Sequence, residues 1–252
     1  MLPGFESFKR WFADYSDQYT IIGGTACDLL MSEDGLDFRA TKDLDMVLIV
    51  ESLTPEFGPR FWQYINSAGY KHRRKNDGQP QFYRFTAPES REHPYMIELF
   101  SRRQDTIHLP EDAVLTPLPL DEGLSSLSAI LLDDDYYRLI LTGKSIIDGV
   151  PILNAEHLIL FKAKAWIDLS SRKAAGEAVD SKDIRKHKND VFRLSLLLTP
   201  STQITIPKGV YEDFQAFLSA METEAIDLKQ LGIHNLSKET ILAQLSTTYL
   251  QG

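Results

Sequence analysis

Three carboxylates stand where they could do chemistry together. Asp43 and Asp45 lie two apart in RATKDLDMVLIV (39–50), and Glu98 lies inside YMIELF (95–100). Side chains alternate along a strand, so Asp43 and Asp45 share a face with Val47 and Ile49. That face turns apolar within two residues. Taken alone, the pair is also what a polar strand entrance exposed to water would look like. Glu98 sits between Met96 and Phe100 on one strand face, where an unpaired carboxylate is expensive to bury. Either it pairs with a nearby arginine or it sits beside Asp43 and Asp45. Two like charges about 5 Å apart repel by roughly 3 kcal/mol at an effective dielectric near 20. Three gathered carboxylates therefore call for cations, and an all-oxygen set suits Mg²⁺ or Mn²⁺ far better than zinc. Two such ions could clamp the attacking and leaving oxygens of a phosphoryl displacement.

A glycine pair is the second feature. In IIGGTACDLL (21–30) a short β-branched run meets Gly23, Gly24 and Thr25, and a helix-prone run follows. Such a junction is either a tight strand-to-helix turn or an anion-binding place. Glycine admits a close phosphate, and the helix start offers free N–H groups. A third candidate is Lys162. Leu158, Phe161, Ala165 and Leu169 form the apolar stripe of their helix, and Lys162 lies about 40° from Leu158, inside that stripe. It either snorkels or reaches into a cleft towards a phosphate.

Elements must hold these residues in place. The pattern predicts a helix near 5–15, a strand at 19–22, a helix from 25 and a strand at 44–50. A helix follows at 59–69, with Pro59 near its start and Gly69 at its end. Strands at 81–87 and 94–101 are expected to be antiparallel. Further strands are expected at 128–132, 136–141 and 144–147, with LTGKS (141–145) as a hairpin turn. From Asn154, a plausible N-cap, the chain reads as helical: 154–173, 181–198, 207–222 and 238–250. The expected fold class is α+β, a mixed sheet flanked by helices and followed by a helical C-terminal domain, with domains at 1–153 and 154–252.

Composition narrows the class. The chain has 252 residues, 43% of them hydrophobic, a net charge of −9 and a single cysteine, Cys27. No internal disulfide is possible, no run is long enough for a transmembrane helix, and the N-terminus lacks a signal-like apolar stretch. A cytoplasmic protein with no membrane partner is the expectation. The negative charge argues against nucleic-acid binding through overall charge. Local basic runs at 71–77, 101–103 and 182–188 leave a local groove open. The six histidines show no zinc-like spacing, and Ser125–Ser126 lack a nucleophile-elbow pattern.

In order, the chain reads GGT, helix, DLD on a strand, then a strand bearing Glu98. This order resembles the nucleotidyltransferase fold shared with DNA polymerase β, and most closely the minimal, abortive-infection (AbiEii-type) nucleotidyltransferases. GGTACDLL with RATKDLDMVL carries the resemblance. LNAEHLILFKAKAWIDL (153–169) looks like the family's lysine-bearing helix, and KHKNDVFRL (186–194) like the helix after it. The interval from Gly24 to Asp43 is longer than the family's usual one. The resemblance implies that an NTP binds with Mg²⁺ (or Mn²⁺) across Asp43 and Asp45, with Gly23, Gly24 and Thr25 near the phosphates. Glu98 would help hold the metal and activate an acceptor hydroxyl. Lys162, Lys186 and Asp190 would serve the nucleotide. Without the resemblance, Lys186 and Asp190 read as a surface pair one turn apart. The implied acceptor is RNA, in a toxin-like setting with an antitoxin protein as partner. A small molecule such as an antibiotic is an alternative acceptor. A nucleotide-binding or interaction module that has lost catalysis is the alternative of another class.

Overall fold

A computed structural model describes residues 2–71, 82–101, 130–131 and 133–252. They form two compact units. One gathers the described residues of Met1–Leu30, Arg39–Pro119 and Lys144–Leu153; the other gathers those of Met31–Phe38, Leu120–Gly143 and Asn154–Gly252. The architecture is α+β, with a mixed six-stranded sheet, flanking helices and a largely helical C-terminal part.

The sheet holds β1 (Tyr19–Ile22), β2 (Asp43–Leu48), β3 (Phe82–Thr86), β4 (Met96–Phe100), β5 (Lys144–Ile147) and β6 (Val150–Leu153), in the order β3-β4-β2-β1-β6-β5. β2 runs antiparallel to β1 and parallel to β4, and β3 runs antiparallel to β4 as expected. One sheet face is covered by α1 (Phe5–Trp11) and α3 (Phe57–Ser67). Phe8 and Phe12 pack edge-on against Tyr19, and Phe61 packs edge-on against Phe85. Each such aromatic pair adds about 0.5–1.5 kcal/mol beyond the area it buries. By strand alternation the opposite face carries Asp43, Asp45, Arg84 and Glu98.

In the second unit α4 (Asp134–Thr142), α5 (Ala155–Ala174), α6 (Ser181–Leu194), α7 (Lys208–Thr223) and α8 (Lys238–Thr248) pack together. Trp166 meets Phe217 edge-on, and Tyr136 meets Phe161. Asn154 caps α5 as expected, its side chain accepting from the His157 amide.

Several expectations are corrected. Residues 136–141 are helix α4, not a strand. Tyr136, Tyr137, Leu139 and Ile140 are its buried residues, a helical spacing. Asp133 caps it by accepting from the amides of Asp135 and Tyr136. Of the strand expected at 128–132, Ile130 and Leu131 are helical and the rest lies outside the described residues. Gly143 therefore ends a helix rather than making a hairpin turn. The hairpin lies later, where Asp148 (φ 50) and Gly149 (φ 77) join β5 to the unexpected strand β6. Residues 249–251 leave the last helix to form β8 (Tyr249–Gln251), which pairs in parallel with β7 (Ile204–Ile206). The basic run at 71–77 lies outside the described residues except for Lys71, and 102–103 lie outside them too.

Candidate active site

The glycine pair opens directly onto a carboxylate. Ile22, the last residue of β1, is the register partner of Asp45 on β2. Gly23 follows with φ +70 and begins α2 (Gly23–Glu33). A Cβ placed on Gly23 would lie 1.7 Å from Asp45 Oδ2. The glycine is thus required twice: for a left-handed backbone that L side chains disfavour, and for room beside the aspartate. At Gly24 a Cβ would lie 2.8 Å from Thr41 Oγ1 and 3.4 Å from Arg39 Nη2. Thr25 is buried, and its hydroxyl donates to the Asp43 carbonyl at 2.7 Å. That bond ties the first turn of α2 to the start of β2. With the hydroxyl so engaged, what Thr25 has for an anion is its backbone amide, one of the helix's unpaired first N–H groups.

Asp45 and Glu98 are register partners across parallel β2 and β4, and Arg84 on β3 is the partner of Glu98 on the other side. One polar row therefore crosses three strands on a single face. The ion-pair alternative for Glu98 holds, and of the two aspartates expected beside it Asp45 is its register partner, while Asp43 is that of Met96. Glu98 is ion-paired, with Arg84 Nε and Nη2 each 2.7 Å from its Oε1, and it lies beside Asp45 across β2 and β4. Burial pushes its pKa up to about 8, the Asp45 charge adds to the rise, and Arg84 opposes it. Asp43 and Asp45 are both half-buried. Among the described residues no three His, Cys, Asp or Glu side chains gather as a metal-holding group. A Mg²⁺ ion commonly takes only one or two carboxylates, with substrate phosphates and water completing its shell. The pair Asp43 and Asp45, on one strand face beside the start of α2, fits that pattern.

Lys162 and Asp190 meet within the helical unit. Lys162 Nζ lies 3.1 Å from Asp190 Oδ2, and the two side chains are 6% and 0% exposed. Arg193 approaches the same carboxylate at 3.9 Å. Asp190 is therefore no surface residue, contrary to its reading as a surface pair with Lys186. Lys186 is half-buried and makes no ion pair with it among the described residues. Lys164, on another side of α5, is also held, by Asp213 at 3.0 Å and Asp168 at 3.5 Å.

Sequence reasoning left out Arg84, Arg39 and Thr41. Arg84 had a legible signal: it sits on a strand expected to pair with that of Glu98. Arg39 and Thr41 gave none, because only the return of the chain from α2 to β2 brings them to Gly24.

Among solved structures, the chain is similar to an antigenic nucleotidyltransferase-like protein from Paracoccidioides brasiliensis, at 17% identity and a TM-score of 0.47, covering 95% of this chain and 98% of that one. It is also similar to the antibiotic-resistance factor ANT(2'')-Ia, at 13% identity and a TM-score of 0.37, covering 87% of this chain and 91% of that one. No protein-family model and no curated protein sequence matches it. Among the described residues no helix is long and apolar enough to cross a membrane.

Proposed function

We propose that the protein is a metal-dependent nucleotidyltransferase that moves a nucleoside monophosphate from an NTP to a hydroxyl acceptor. One observation carries this reading: Gly23, at the start of α2, packs without room for a Cβ against the Asp45 carboxylate, which itself faces Glu98. A helix start and facing carboxylates thus lie side by side. In this reading Gly23, Gly24 and Thr25 present backbone to the triphosphate. Asp43 and Asp45 are the residues that would hold Mg²⁺ or Mn²⁺. When bound, the ion would neutralise charge on the triphosphate. The acceptor oxygen bonds to the α-phosphorus, the bond from that phosphorus to the β-phosphate bridging oxygen breaks, and pyrophosphate leaves. The acceptor proton passes to Glu98, whose raised pKa suits a base working near neutrality.

RNA is the acceptor we favour. Lys182, Arg185 and Lys186 line α6 without ion pairs among the described residues, in a chain whose net charge is −9. The test offers each labelled NTP with Mg²⁺ to total tRNA and to small-molecule pools, with Asp43→Asn/Asp45→Asn as control. Label should enter RNA and vanish in the control. Transfer that survives the double change would sink the site assignment, and label in a small molecule alone would move the acceptor class. Tight triphosphate binding without any transfer would point to a module that has lost catalysis.

A further inference from the structure

The row Asp45–Glu98–Arg84 places an acid on one side of Glu98 and a permanent cation on the other. Both Arg84 nitrogens converge on one carboxylate oxygen at 2.7 Å, the length of a strong charge-assisted contact. The pair is well sheltered, with the Glu98 side chain 10% exposed and that of Arg84 25%. A guanidinium cannot lose its charge in a protein. A divalent ion bound to Glu98 would have to displace that group or sit against it. The described carboxylates, moreover, do not gather in threes. We infer that Arg84 is a built-in cation for Glu98, so that this face takes one divalent ion, on Asp43 and Asp45, where three bare carboxylates would call for two.

The inference rests on the nucleotidyltransferase reading of this face. It assigns Arg84 the role of setting metal number on this face, through Glu98. Counting bound Mn²⁺ on the full chain by electron paramagnetic resonance tests it, with circular dichroism to confirm folding. The wild type should bind one ion, and Asp43→Asn/Asp45→Asn none. Arg84→Gln should bind a second ion at least tenfold more tightly than any second binding by the wild type. Arg84→Lys should keep one ion, and Arg84→Gln/Glu98→Gln should return to one. If Arg84→Gln fails to fold, Glu98→Gln alone decides: the count should stay at one, and a fall to none would overturn the inference. Two ions on the wild type would overturn it and leave the nucleotidyltransferase reading standing. No ion on the wild type would remove both.

Discussion

In the helical unit Asp190 is fully buried and meets Lys162 at 3.1 Å, with Arg193 at 3.9 Å. In the sheet unit Glu98 is nearly as buried and meets Arg84, but it also meets Asp45. Each buried carboxylate has a cation against it, but Glu98 also faces a second carboxylate. A compensated buried pair is a packing solution, which fails when one partner is removed. Like charges set together in a sheltered place oppose folding; burial raises the Glu98 pKa, and the Asp45 charge adds to the rise. Sites of that kind are where perturbed carboxylates and chemistry tend to coincide. The same residue types thus mean different things in the two units, and the local balance of charge tells them apart.

The largest effect should come from removing the two aspartates. Asp43→Asn/Asp45→Asn should lower nucleotidyl transfer by about 10³-fold without lowering the melting temperature. Labelled-NTP assays and calorimetry check both, and a collapse in stability would erase the contrast between the units. Next, Lys162→Met should destabilise the fold by about 3–5 kcal/mol in urea titrations, while Lys162→Met/Asp190→Leu should recover most of the loss. A double variant as unstable as the single one would break the packing interpretation. Gly23→Ala should cost about 1–2 kcal/mol for its left-handed backbone alone. It should cost transfer activity as well, because the new Cβ must displace Asp45.

The fourth prediction concerns pH in the metal-free protein. Glu98 shifts from 4.5 to about 8 on folding, so between those values the folded chain holds the extra proton. Its stabilising contribution is complete below about pH 4.5 and is lost as pH rises through about 8. His157 shifts the other way, from 6.5 to about 4, because burial disfavours its charged form. Its contribution is present above pH 6.5 and is lost as pH falls through about 4. Each slope is at most about 1.4 kcal/mol per pH unit. Stability against pH should lose its falling limb in Glu98→Gln and keep it in His157→Gln. The smallest effect, about 1 kcal/mol, is expected for Asn154→Ala, which removes an uncharged cap from α5 and sets the scale of an ordinary local contribution.

How much of this was legible depended on the range of the forces involved. The β1–Gly-Gly–α2 junction, the DLD strand and the capped helix at Asn154 were readable because each rests on neighbouring residues. Residues 136–141 read as a strand because Tyr-Tyr and Leu-Ile-Leu favour strands locally, whereas the Asp133 cap and burial of Tyr136, Tyr137, Leu139 and Ile140 on one side favour a helix. β6 escaped because Pro151 weakens a strand signal and its partners, β1 and β5, complete its pairing.

By itself the sequence determined which residues could carry chemistry: glycines at a strand-to-helix turn, two aspartates on one strand face, and a glutamate on a strand otherwise apolar. Alternation and helical periodicity are enforced by backbone geometry, so they can be read without partners. Only the tertiary structure decided what each charge faces. Strand order put Asp45, Glu98 and Arg84 in one row, and the packing of α5 with α6 gave Lys162 to Asp190. Electrostatic roles follow from distance and burial, and both are set by residues far apart in the chain.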